Sequence, residues 1–487
     1  MNITDPIRRN AQTAPLAPAV VRWNTTVTYR QLDRLIDVLA RRALDLGLGP
    51  GDVAGLAFPD LPGSGAAYKF IVLSLAMARA GIAVKAATTS DEGLAACFAA
   101  DAGTPTRAPR LVVADETWFV PPPDSVEIEA VASHPDGKAI CRIASTSGTT
   151  GTSKRVSISH EKSLYRVDVG RDPRLGPAMP IAIVHIGPWS GVGFFGVLRT
   201  LLAGGTLVLA RKADDVLHAI ARHGVNFVLL APATLAAIVE AIPAGGDPPL
   251  GHGWVDVTGS FLPQPLYEQA RSRLCPNIVT SYGSTEAGAV ASARRSDLEG
   301  HPGAVGYVNA GIEAEAVGDD GSPLPPGEVG RIRIRGGTCV DGYDGDAEAT
   351  AQAFRDGWFY PGDLGSVSAD RLLSIFGRTS DLINIGGNKI SPTVIENALL
   401  AVPGVADAAA FGVPDAHGLP AIWAALVVRG ALAKTELEGV CRGLGYAAPK
   451  RVIRMEALPR NENGKVLRDE LARIALRASR ARPAGGE

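Results

Sequence analysis

Residues 145–154 carry an unusual density of groups that could hold phosphate. They comprise seven hydroxyl side chains, two glycines and a closing lysine, with no apolar side chain. The run at 139–144 just before them predicts a short β-strand. Glycines let backbone N–H groups converge on an anion, hydroxyls donate further hydrogen bonds, and lysine adds positive charge. The sequence therefore predicts a phosphate-binding loop, although a Ser/Thr/Gly run is also typical of a flexible surface linker. It is not a Walker loop, because Ser153 stands where the second glycine is required.

Four more stretches follow in a fixed order: Ser-Tyr-Gly-Ser-Thr-Glu at 281–286, Gly-Trp-Phe-Tyr-Pro-Gly-Asp at 357–363, Gly-Arg-Thr-Ser-Asp at 377–381, and Pro-Arg-Asn-Glu-Asn-Gly-Lys at 459–465. With the hydroxyl-rich loop, in this order and spacing, the chain resembles the adenylate-forming superfamily over nearly its whole length. That superfamily includes acyl-CoA synthetases, adenylation domains of peptide synthetases and firefly-type luciferases. The resemblance implies ATP-dependent activation of a carboxylic acid.

The resemblance also implies where ATP and AMP would bind. The matching positions are Ser145, Thr146, Ser147, Gly148, Thr149, Thr150, Gly151, Lys154, Gly259, Ser260, Phe261, Tyr282, Gly283, Asp363 and Arg378. Among these, Tyr282 matches the aromatic residue that lies on the adenine, and Asp363 matches the carboxylate that holds both ribose hydroxyls. Relatives usually have proline at the position of Ser153 and threonine at that of Pro361.

Acid activation joins two anions, so the enzyme must hold them together and neutralise their charge. Glu286 matches the family's carboxylate for Mg²⁺, an ion that is typically held by few carboxylates plus substrate phosphates. Thr285 matches a phosphate contact. Lys465 matches the catalytic lysine, a compact charge on a long stem that bridges the carboxylate and the α-phosphate. Each of these residues could instead be an ordinary surface side chain, but the surrounding motifs favour function.

The resemblance assigns the second half-reaction to a rotation of the C-terminal domain. Ser380 stands at the hinge position, and Gly386, Gly387 and Lys389 match the loop that lines the tunnel for the thiol donor. The predicted units are an N-terminal adenylation domain at 1–379 and a C-terminal domain at 380–487 that carries the catalytic lysine.

The acid pocket is expected near Trp189, Ser190 and Phe194. Residues 180–199 contain no Asp or Glu, whereas relatives that activate amino acids place an Asp in this region to pair with the ammonium group. A buried ammonium without a partner is costly. We therefore expect an apolar or aromatic monocarboxylic acid; the alternative is that these side chains only pack a helix against the sheet.

The elements that must position these residues alternate between helices and strands. Predicted strands are centred on 53–57, 111–114, 181–184, 206–209, 225–230, 254–257 and 277–280, and helices occupy 29–46, 66–79, 191–203, 214–222 and 232–242. Such alternation implies an α/β fold with helix-covered, mostly parallel sheets. Short strands after residue 300 predict a smaller, mostly antiparallel β subdomain packed on the main sheet. A small, mobile α+β C-terminal domain follows, with Ser391 expected to cap a helix and a closing helix at 466–478.

The composition of the chain disfavours several other classes of protein. The 487 residues suggest about three domain-sized units. A net charge of −2 gives no reason to expect nucleic acid or an acidic membrane surface as partner. Five scattered cysteines without a CxxC pair argue against zinc and disulfides and favour a reducing cytoplasm. We see no signal peptide, and glycines and a central arginine make residues 191–210 a poor membrane span.

The function predicted from the sequence is an AMP-forming acyl-CoA synthetase that uses ATP, Mg²⁺ and CoA on a small carboxylic acid. Two alternatives remain open. The first is a stand-alone enzyme that loads the phosphopantetheine arm of a carrier protein. The second is an ATP-binding relative without catalysis, which the presence of Glu286, Asp363 and Lys465 disfavours.

Overall fold

The computed structural model describes residues 1–22, 25–59, 65–89, 91–146, 154–210, 212–243, 245–301, 303–385, 388–414, 420–460 and 466–480. Within these ranges the α-helices are α1 (Asp5–Thr13), α2 (Tyr29–Asp45), α3 (Ala66–Arg79), α4 (His160–Val169), α5 (Gly191–Leu202), α6 (Ala213–His223), α7 (Pro232–Ala241), α8 (Gln264–Arg273), α9 (Ala347–Ala353), α10 (Pro392–Leu400), α11 (Lys434–Gly443) and α12 (Arg468–Arg480).

The strands of the first part are β1 (Pro18–Arg22), β2 (Thr25–Thr28), β3 (Val53–Ala57), β4 (Ala83–Ala86), β5 (Ala96–Ala99), β6 (Leu111–Val113), β7 (Ile140–Ser145), β8 (Arg155–Ser159), β9 (Ile181–Val184), β10 (Thr206–Leu209), β11 (Phe227–Leu230), β12 (Trp254–Thr258) and β13 (Ile278–Ser284). Those of the second part are β14 (Gly288–Arg294), β15 (Ala304–Val308), β16 (Ile312–Val317), β17 (Gly330–Gly336), β18 (Phe354–Arg355), β19 (Trp358–Phe359), β20 (Asp363–Val367), β21 (Leu372–Arg378), β22 (Ile383–Ile385), β23 (Asn388–Ile390), β24 (Val405–Pro414), β25 (Pro420–Val428) and β26 (Arg451–Met455).

Two large sheets form the N-terminal part of the chain. The first runs β6-β5-β3-β4-β7-β8 and is parallel except for the β7–β8 pair. The second has a parallel centre, β13-β12-β11-β9-β10-β1, and continues through β14, β15, β21, β20 and β17 as an antiparallel extension. The predicted β subdomain is therefore hydrogen-bonded to the edge of the main sheet.

The main core lies where the two large sheets approach each other. It joins apolar side chains of α1, α2, α3 and α5 to residues of both sheets. Thirteen of the fourteen residues of α3 are buried, as expected of a helix that is apolar on all sides. On the other face of the second sheet, α6, α7 and α8 cover a separate cluster, so the parallel centre is buried on both faces.

The C-terminal part is a smaller α+β unit. Its three-stranded sheet β24-β25-β26 has α10 and α11 on one side and α12 on the other. The side chain of Ser391 does not cap α10 as predicted, and its hydroxyl instead donates to the carbonyl of Phe376 on β21. Arg429 also pairs with Glu240 on α7 at 3.3 Å. These two contacts join the C-terminal unit to the N-terminal part.

The predicted fold class is confirmed, with a large, sheet-based N-terminal region and a smaller C-terminal domain. The domain boundary at 379/380 stays a prediction. Among the described residues, no helix combines the length and apolarity needed to cross a membrane. In particular, residues 191–210 form the buried α5, a turn and β10.

Candidate active site

The predicted phosphate loop joins β7 to β8, and its ends are well defined. Ser145 ends β7, the N–H of Thr146 donates to the Lys154 carbonyl at 2.8 Å, and β8 begins at the next residue. Loop positions Ser147, Gly148, Thr149, Thr150 and Gly151 lie outside the described residues. The ammonium of Lys154 lies 4.7 Å from the centre of the Tyr343 ring. The structure thus fixes where the loop leaves the sheet and where its lysine points.

The turn from β13 to β14 presents Thr285 and Glu286 beside that lysine. Gly283 allows the turn, because a Cβ atom there would lie 2.2 Å from the Gly288 carbonyl oxygen. Glu286 is 8% exposed, and one of its carboxylate oxygens accepts the Tyr343 hydroxyl at 2.8 Å. Burial, followed by the charge of Glu286, raises the pKa of Tyr343 well above its ordinary value, so that Tyr343 is a donor at neutral pH. Side-chain contacts therefore connect Lys154 to Glu286 through Tyr343.

Arg166 on α4 holds the backbone of this turn, and the sequence analysis missed it. Its guanidinium donates to the carbonyls of Thr285 at 3.1 Å, Glu286 at 2.9 Å and Thr338 at 2.8 Å. The side chain is buried, and burial lowers its pKa to about 10. No carboxylate among the described residues pairs with Arg166 within 4 Å. Its positive charge therefore interacts with three backbone carbonyl oxygens, and these contacts hold the Thr285–Glu286 turn in place.

Asp363 and Arg378 face each other on neighbouring strands, β20 and β21. They are register partners, and the Arg378 Nε lies 3.3 Å from the Asp363 carboxylate. The hydroxyl of Tyr282 donates to the other oxygen of the same carboxylate. Burial and then the charge of Asp363 raise the pKa of Tyr282 well above its ordinary value. The structure therefore brings three predicted nucleotide residues together from separate motifs, and Tyr282 lies four residues from Glu286.

The predicted acid-pocket residues have mostly structural contacts. Ser190 caps α5 by accepting the Gly193 N–H at 3.1 Å. Phe194 is 2% exposed and lies in the main core against the Arg142 guanidinium, 4.4 Å from its ring centre. Trp189 packs edge to face with Phe70 at 6.3 Å, and its carbonyl accepts from Arg142 at 2.6 Å.

Several exposed residues lie near the Thr285–Glu286 turn, at the start of α5 and after β12. A Cβ atom at Gly191 would lie 3.7 Å from the Thr285 side chain, which places the start of the helix next to the turn. Val192 is 40% exposed, and Phe261, after β12, is 44% exposed. Gly259 and Ser260 are also exposed in that loop. These residues, from the carboxyl ends of parallel strands and the start of a helix, line the place where α/β sheets bind ligands.

The hinge position lies in an exposed turn. Ser380 belongs to a short 3₁₀ helix, Thr379–Asp381, directly after β21, and its hydroxyl donates to Asp381. Arg468 on α12 connects Asp381, at 3.4 Å, with Glu396 on α10, at 2.6 Å. Lys389 falls on β23, while Gly386, Gly387 and the catalytic candidate Lys465 lie outside the described residues.

The side chains of the site suit a magnesium ion that also binds substrate phosphates better than a metal ion that is held by protein ligands alone. In the described part of the chain, no group of three or more His, Cys, Asp or Glu side chains is placed to hold a metal ion. Glu286 offers one carboxylate beside the predicted phosphate loop. Mg²⁺ commonly takes one or two carboxylates and completes its shell with water and substrate phosphates. Glu286 would therefore hold such an ion together with a nucleotide.

Comparison with known proteins gives matches along most of the chain. The AMP-binding enzyme family matches residues 85–344, and the AMP-binding enzyme C-terminal domain matches residues 394–465. A feruloyl-CoA synthase from an Amycolatopsis species is 30% identical over 96% of this chain and 98% of its own. The amide bond synthetase McbA from Marinactinospora thermotolerans superposes with a TM-score of 0.81 at 26% identity, covering 98% of this chain and 99% of that one. The o-succinylbenzoate CoA synthetase from Bacillus subtilis, solved with ATP and magnesium, has the same fold, with a TM-score of 0.80 at 24% identity and coverage of 96% and 99%.

Proposed function

Since this chain belongs to the adenylate-forming superfamily of AMP-binding enzymes, we propose that it activates a small carboxylic acid with ATP and transfers the acyl group to the thiol of CoA. In the first step an oxygen of the carboxylate attacks the α-phosphorus. The bond from that phosphorus to the bridging oxygen breaks, which gives acyl-AMP and pyrophosphate. In the second step the thiolate attacks the acyl carbonyl, and AMP leaves with the oxygen that came from the acid.

One observation carries the proposal: the three nucleotide-site side chains meet beside the predicted metal carboxylate. The Tyr282 hydroxyl donates to Asp363, which also pairs with Arg378, and Tyr282 lies 81 positions before Asp363 in the sequence. A carboxylate with two oxygens next to an aromatic ring suits a ribose and its base. Glu286, four residues after Tyr282, would hold magnesium, which supplies charge neutralisation at the phosphates when it is bound.

The side chains around the turn would each have a separate task in the first step. Thr285 and Lys154 would contact the phosphates. Arg166 would hold Thr285 and Glu286 in position through its three hydrogen bonds to backbone carbonyls. Preorganised dipoles and charges of this kind lower barriers because they need no rearrangement during reaction. From the resemblance, we assign Lys465 to the bridge between carboxylate and α-phosphate.

CoA is the acceptor that we favour over a carrier protein. The full-length relative reported above is by name a CoA synthase. The amide bond synthetase of similar fold has a name that points to a nitrogen nucleophile, so the acceptor must be tested directly. In our proposal the C-terminal domain, residues 380–487, rotates about Ser380 between the two steps and brings the 386–389 loop to the thiol.

The test is pyrophosphate release with a broad panel of carboxylic acids, followed by a comparison of acceptors. CoA saturation, loading of phosphopantetheinylated carrier proteins and amide formation with simple amines are measured with the same adenylate. We expect AMP and an acyl-CoA thioester, with CoA saturating in the micromolar to millimolar range. ATP binding without pyrophosphate release for any acid would favour the non-catalytic alternative.

Lys465→Ala separates the two steps. We expect adenylation to fall by at least about a hundredfold, as for loss of one preorganised electrostatic partner. Synthetic acyl-AMP and CoA should still react at close to the rate of the unchanged enzyme. Equal losses in both steps would contradict the role that we assign to Lys465.

A further inference from the structure

The parallel centre of the second sheet presents a few polar side chains on the face that α5 covers. Val255 and Val257 of β12 point to the side covered by α6, α7 and α8. Side chains alternate along a strand, so Asp256 and Thr258 point to the opposite side, toward α5. Thr258 and Ser281 are register partners on neighbouring strands, so Ser281 faces the same way. This face is otherwise apolar next to Asp256, with Phe227 and Leu229 on β11.

Asp256 lies opposite an arginine of α5. The Nη2 atom of Arg199 is 3.8 Å from the Asp256 Oδ2 atom, which is too far for a hydrogen bond. The other carboxylate oxygen of Asp256 accepts the Ser281 hydroxyl at 2.8 Å. Arg199 otherwise donates to the Gly170 carbonyl at 3.3 Å and lies 4.4 Å from the centre of the Phe227 ring. Asp256 is 6% exposed, and no donor among the described residues hydrogen-bonds its Oδ2 atom.

This pair is connected to the Thr285–Glu286 turn through β13 and α5. Ser281, which contacts Asp256, directly precedes Tyr282 of the nucleotide site. Gly191, at the start of α5, lies against Thr285, and Arg199 follows eight residues later on the same helix. Eight residues of α-helix span about 12 Å. Gly196, between them, packs so tightly on the sheet that a Cβ atom would lie 2.6 Å from the Leu229 side chain.

We propose that Arg199 and Asp256 recognise a hydroxyl group at the far end of the carboxylic acid substrate. The hydroxyl would lie beside the pair, donate to the Asp256 Oδ2 atom and accept from Arg199. This inference rests on the proposed function, since it assumes that the acid's carboxylate lies at Thr285 and Glu286. It replaces the wholly apolar pocket expected from residues 180–199, because Asp256 reaches this place from β12.

The charges of the pair select a neutral group. Arg199 and Asp256 are opposite in sign and neutralise each other, so a second carboxylate or an ammonium on the substrate would add a buried charge without a partner of its own. Burial already raises the pKa of Asp256, and another negative charge nearby would raise it further. A hydroxyl both donates and accepts, and it leaves the net charge of the pair unchanged.

The separation between the Thr285–Glu286 turn and the Arg199–Asp256 pair narrows the class of acid. The distance along α5 suits a carboxylic acid whose hydroxyl lies roughly 8–12 Å from its carboxylate, the length of two to three helical turns less the reach of the side chains. A phenolic acid with a short linker has this length and an apolar middle for Val192. A medium-chain ω-hydroxy acid has it as well.

The experiment measures kcat/KM for pyrophosphate release on two matched sets. The first contains 3-phenylpropanoic acid and its 4-hydroxyl and 4-carboxyl derivatives. The second contains octanoic, 8-hydroxyoctanoic and octanedioic acids. We expect the unchanged enzyme to prefer a hydroxylated acid by at least about tenfold over its plain and dicarboxylic counterparts in one set, because a site built to hydrogen-bond a hydroxyl rejects the analogue that lacks it.

Two variants test the residues. Asp256→Asn should lower kcat/KM for the preferred hydroxylated acid by about tenfold to a hundredfold, the usual cost of a hydrogen bond to a charged group. Its effect on the plain acid should stay below about threefold, and Arg199→Met should show the same pattern. Asp37→Asn is the matched control, since Asp37 is a buried, ion-paired carboxylate in the main core; it should change stability without changing acid preference.

The outcomes separate the inference from the function on which it rests. Equal kcat/KM for plain and hydroxylated acids, a preference for the dicarboxylic acids, or equal losses on both acids in Asp256→Asn would overturn the hydroxyl site while leaving acid activation intact. No pyrophosphate release with any acid, despite ATP binding, would overturn the proposed function itself. The ranking of acids by the unchanged enzyme decides the question even if a variant fails to fold.

Discussion

Replacing Arg166 with methionine tests whether the Thr285–Glu286 turn depends on a residue that lies outside every recognised motif. Methionine keeps much of the length and the apolar stem of arginine, but it cannot donate to the carbonyls of Thr285, Glu286 and Thr338. Of these three carbonyls, only that of Glu286 accepts a second backbone hydrogen bond within the described part of the chain, from the Val340 N–H at 2.8 Å. Thr285 and Thr338 would each keep a buried or half-buried carbonyl without that donor.

The magnitude follows from those three contacts. Hydrogen bonds that involve a charged group contribute about 1.5–3 kcal/mol each. The loss is partly offset, because the variant no longer buries an unpaired guanidinium, a process that is itself costly. We expect a net loss of about 2–4 kcal/mol in the free energy of unfolding. A turn that moves by about 1 Å can cost a hundredfold in rate, so kcat/KM for pyrophosphate release should fall by about that factor.

The assay compares Arg166→Met and Arg166→Lys with Arg174→Met, whose side chain is 84% exposed on the surface. Thermal unfolding gives stability, and pyrophosphate release is measured against magnesium concentration. We expect a weaker apparent affinity for Mg²⁺ in Arg166→Met, a smaller effect in Arg166→Lys and none in Arg174→Met. A less stable Arg166→Met enzyme with unchanged rate and magnesium dependence would show that Arg166 only supports the fold.

Three further predictions concern other parts of the molecule. Tyr343→Phe removes the donor to Glu286 and should raise the KM for MgATP by about tenfold, with kcat changed less, in steady-state assays; an unchanged KM would refute this role. Ser380→Pro fixes φ at the hinge and should slow one half-reaction far more than the other, whereas normal rates in both would place the pivot elsewhere. Burial, and then the nearby His134, lower the pKa of His160 from 6.5 to about 4. The unfolded chain therefore gains a proton below pH 6.5 that the folded chain does not take up until about pH 4. The free energy of unfolding should fall by up to about 3 kcal/mol over this window, and denaturant titrations of His160→Gln should lack that part of the pH dependence.

The regular elements followed closely from apolar runs and their spacing. The strand at 53–57, the helix at 66–79 and the alternation from 181 to 258 agree with the structure, because buried parallel strands read as continuous apolar runs. The sheet edge that the antiparallel extension joins was not predicted. Short alternating strands predict a sheet, but their sequences do not show which edge of another sheet they join. Strand pairing in the folded chain decides this, as in the pairing of β14 with β15.

Residues of the candidate active site could be predicted from the sequence only where they belong to recognised motifs. Tyr282, Asp363 and Arg378 were expected together from the resemblance, and the structure brings them together. Arg166 and Asp256 could not be placed in the same way. Asp256 is a charged residue inside an otherwise mostly apolar strand, a pattern that signals a buried role but not its partner. Arg166 lies on a helix with several other charged residues, so its sequence context does not distinguish it from a surface arginine. The partner depends on contacts between residues more than fifty positions apart for Arg199 and Asp256, and more than a hundred for Arg166 and Glu286.

The most direct test of the central claim follows one oxygen atom. The protein is incubated with ATP, Mg²⁺, CoA and an accepted carboxylic acid labelled with ¹⁸O in both carboxylate positions, and the products are analysed by mass spectrometry. Attack of the carboxylate on the α-phosphorus, followed by attack of the thiol, predicts AMP that carries one ¹⁸O atom, with unlabelled pyrophosphate. ADP and labelled phosphate as products, or unlabelled AMP, would contradict activation through an acyl-adenylate.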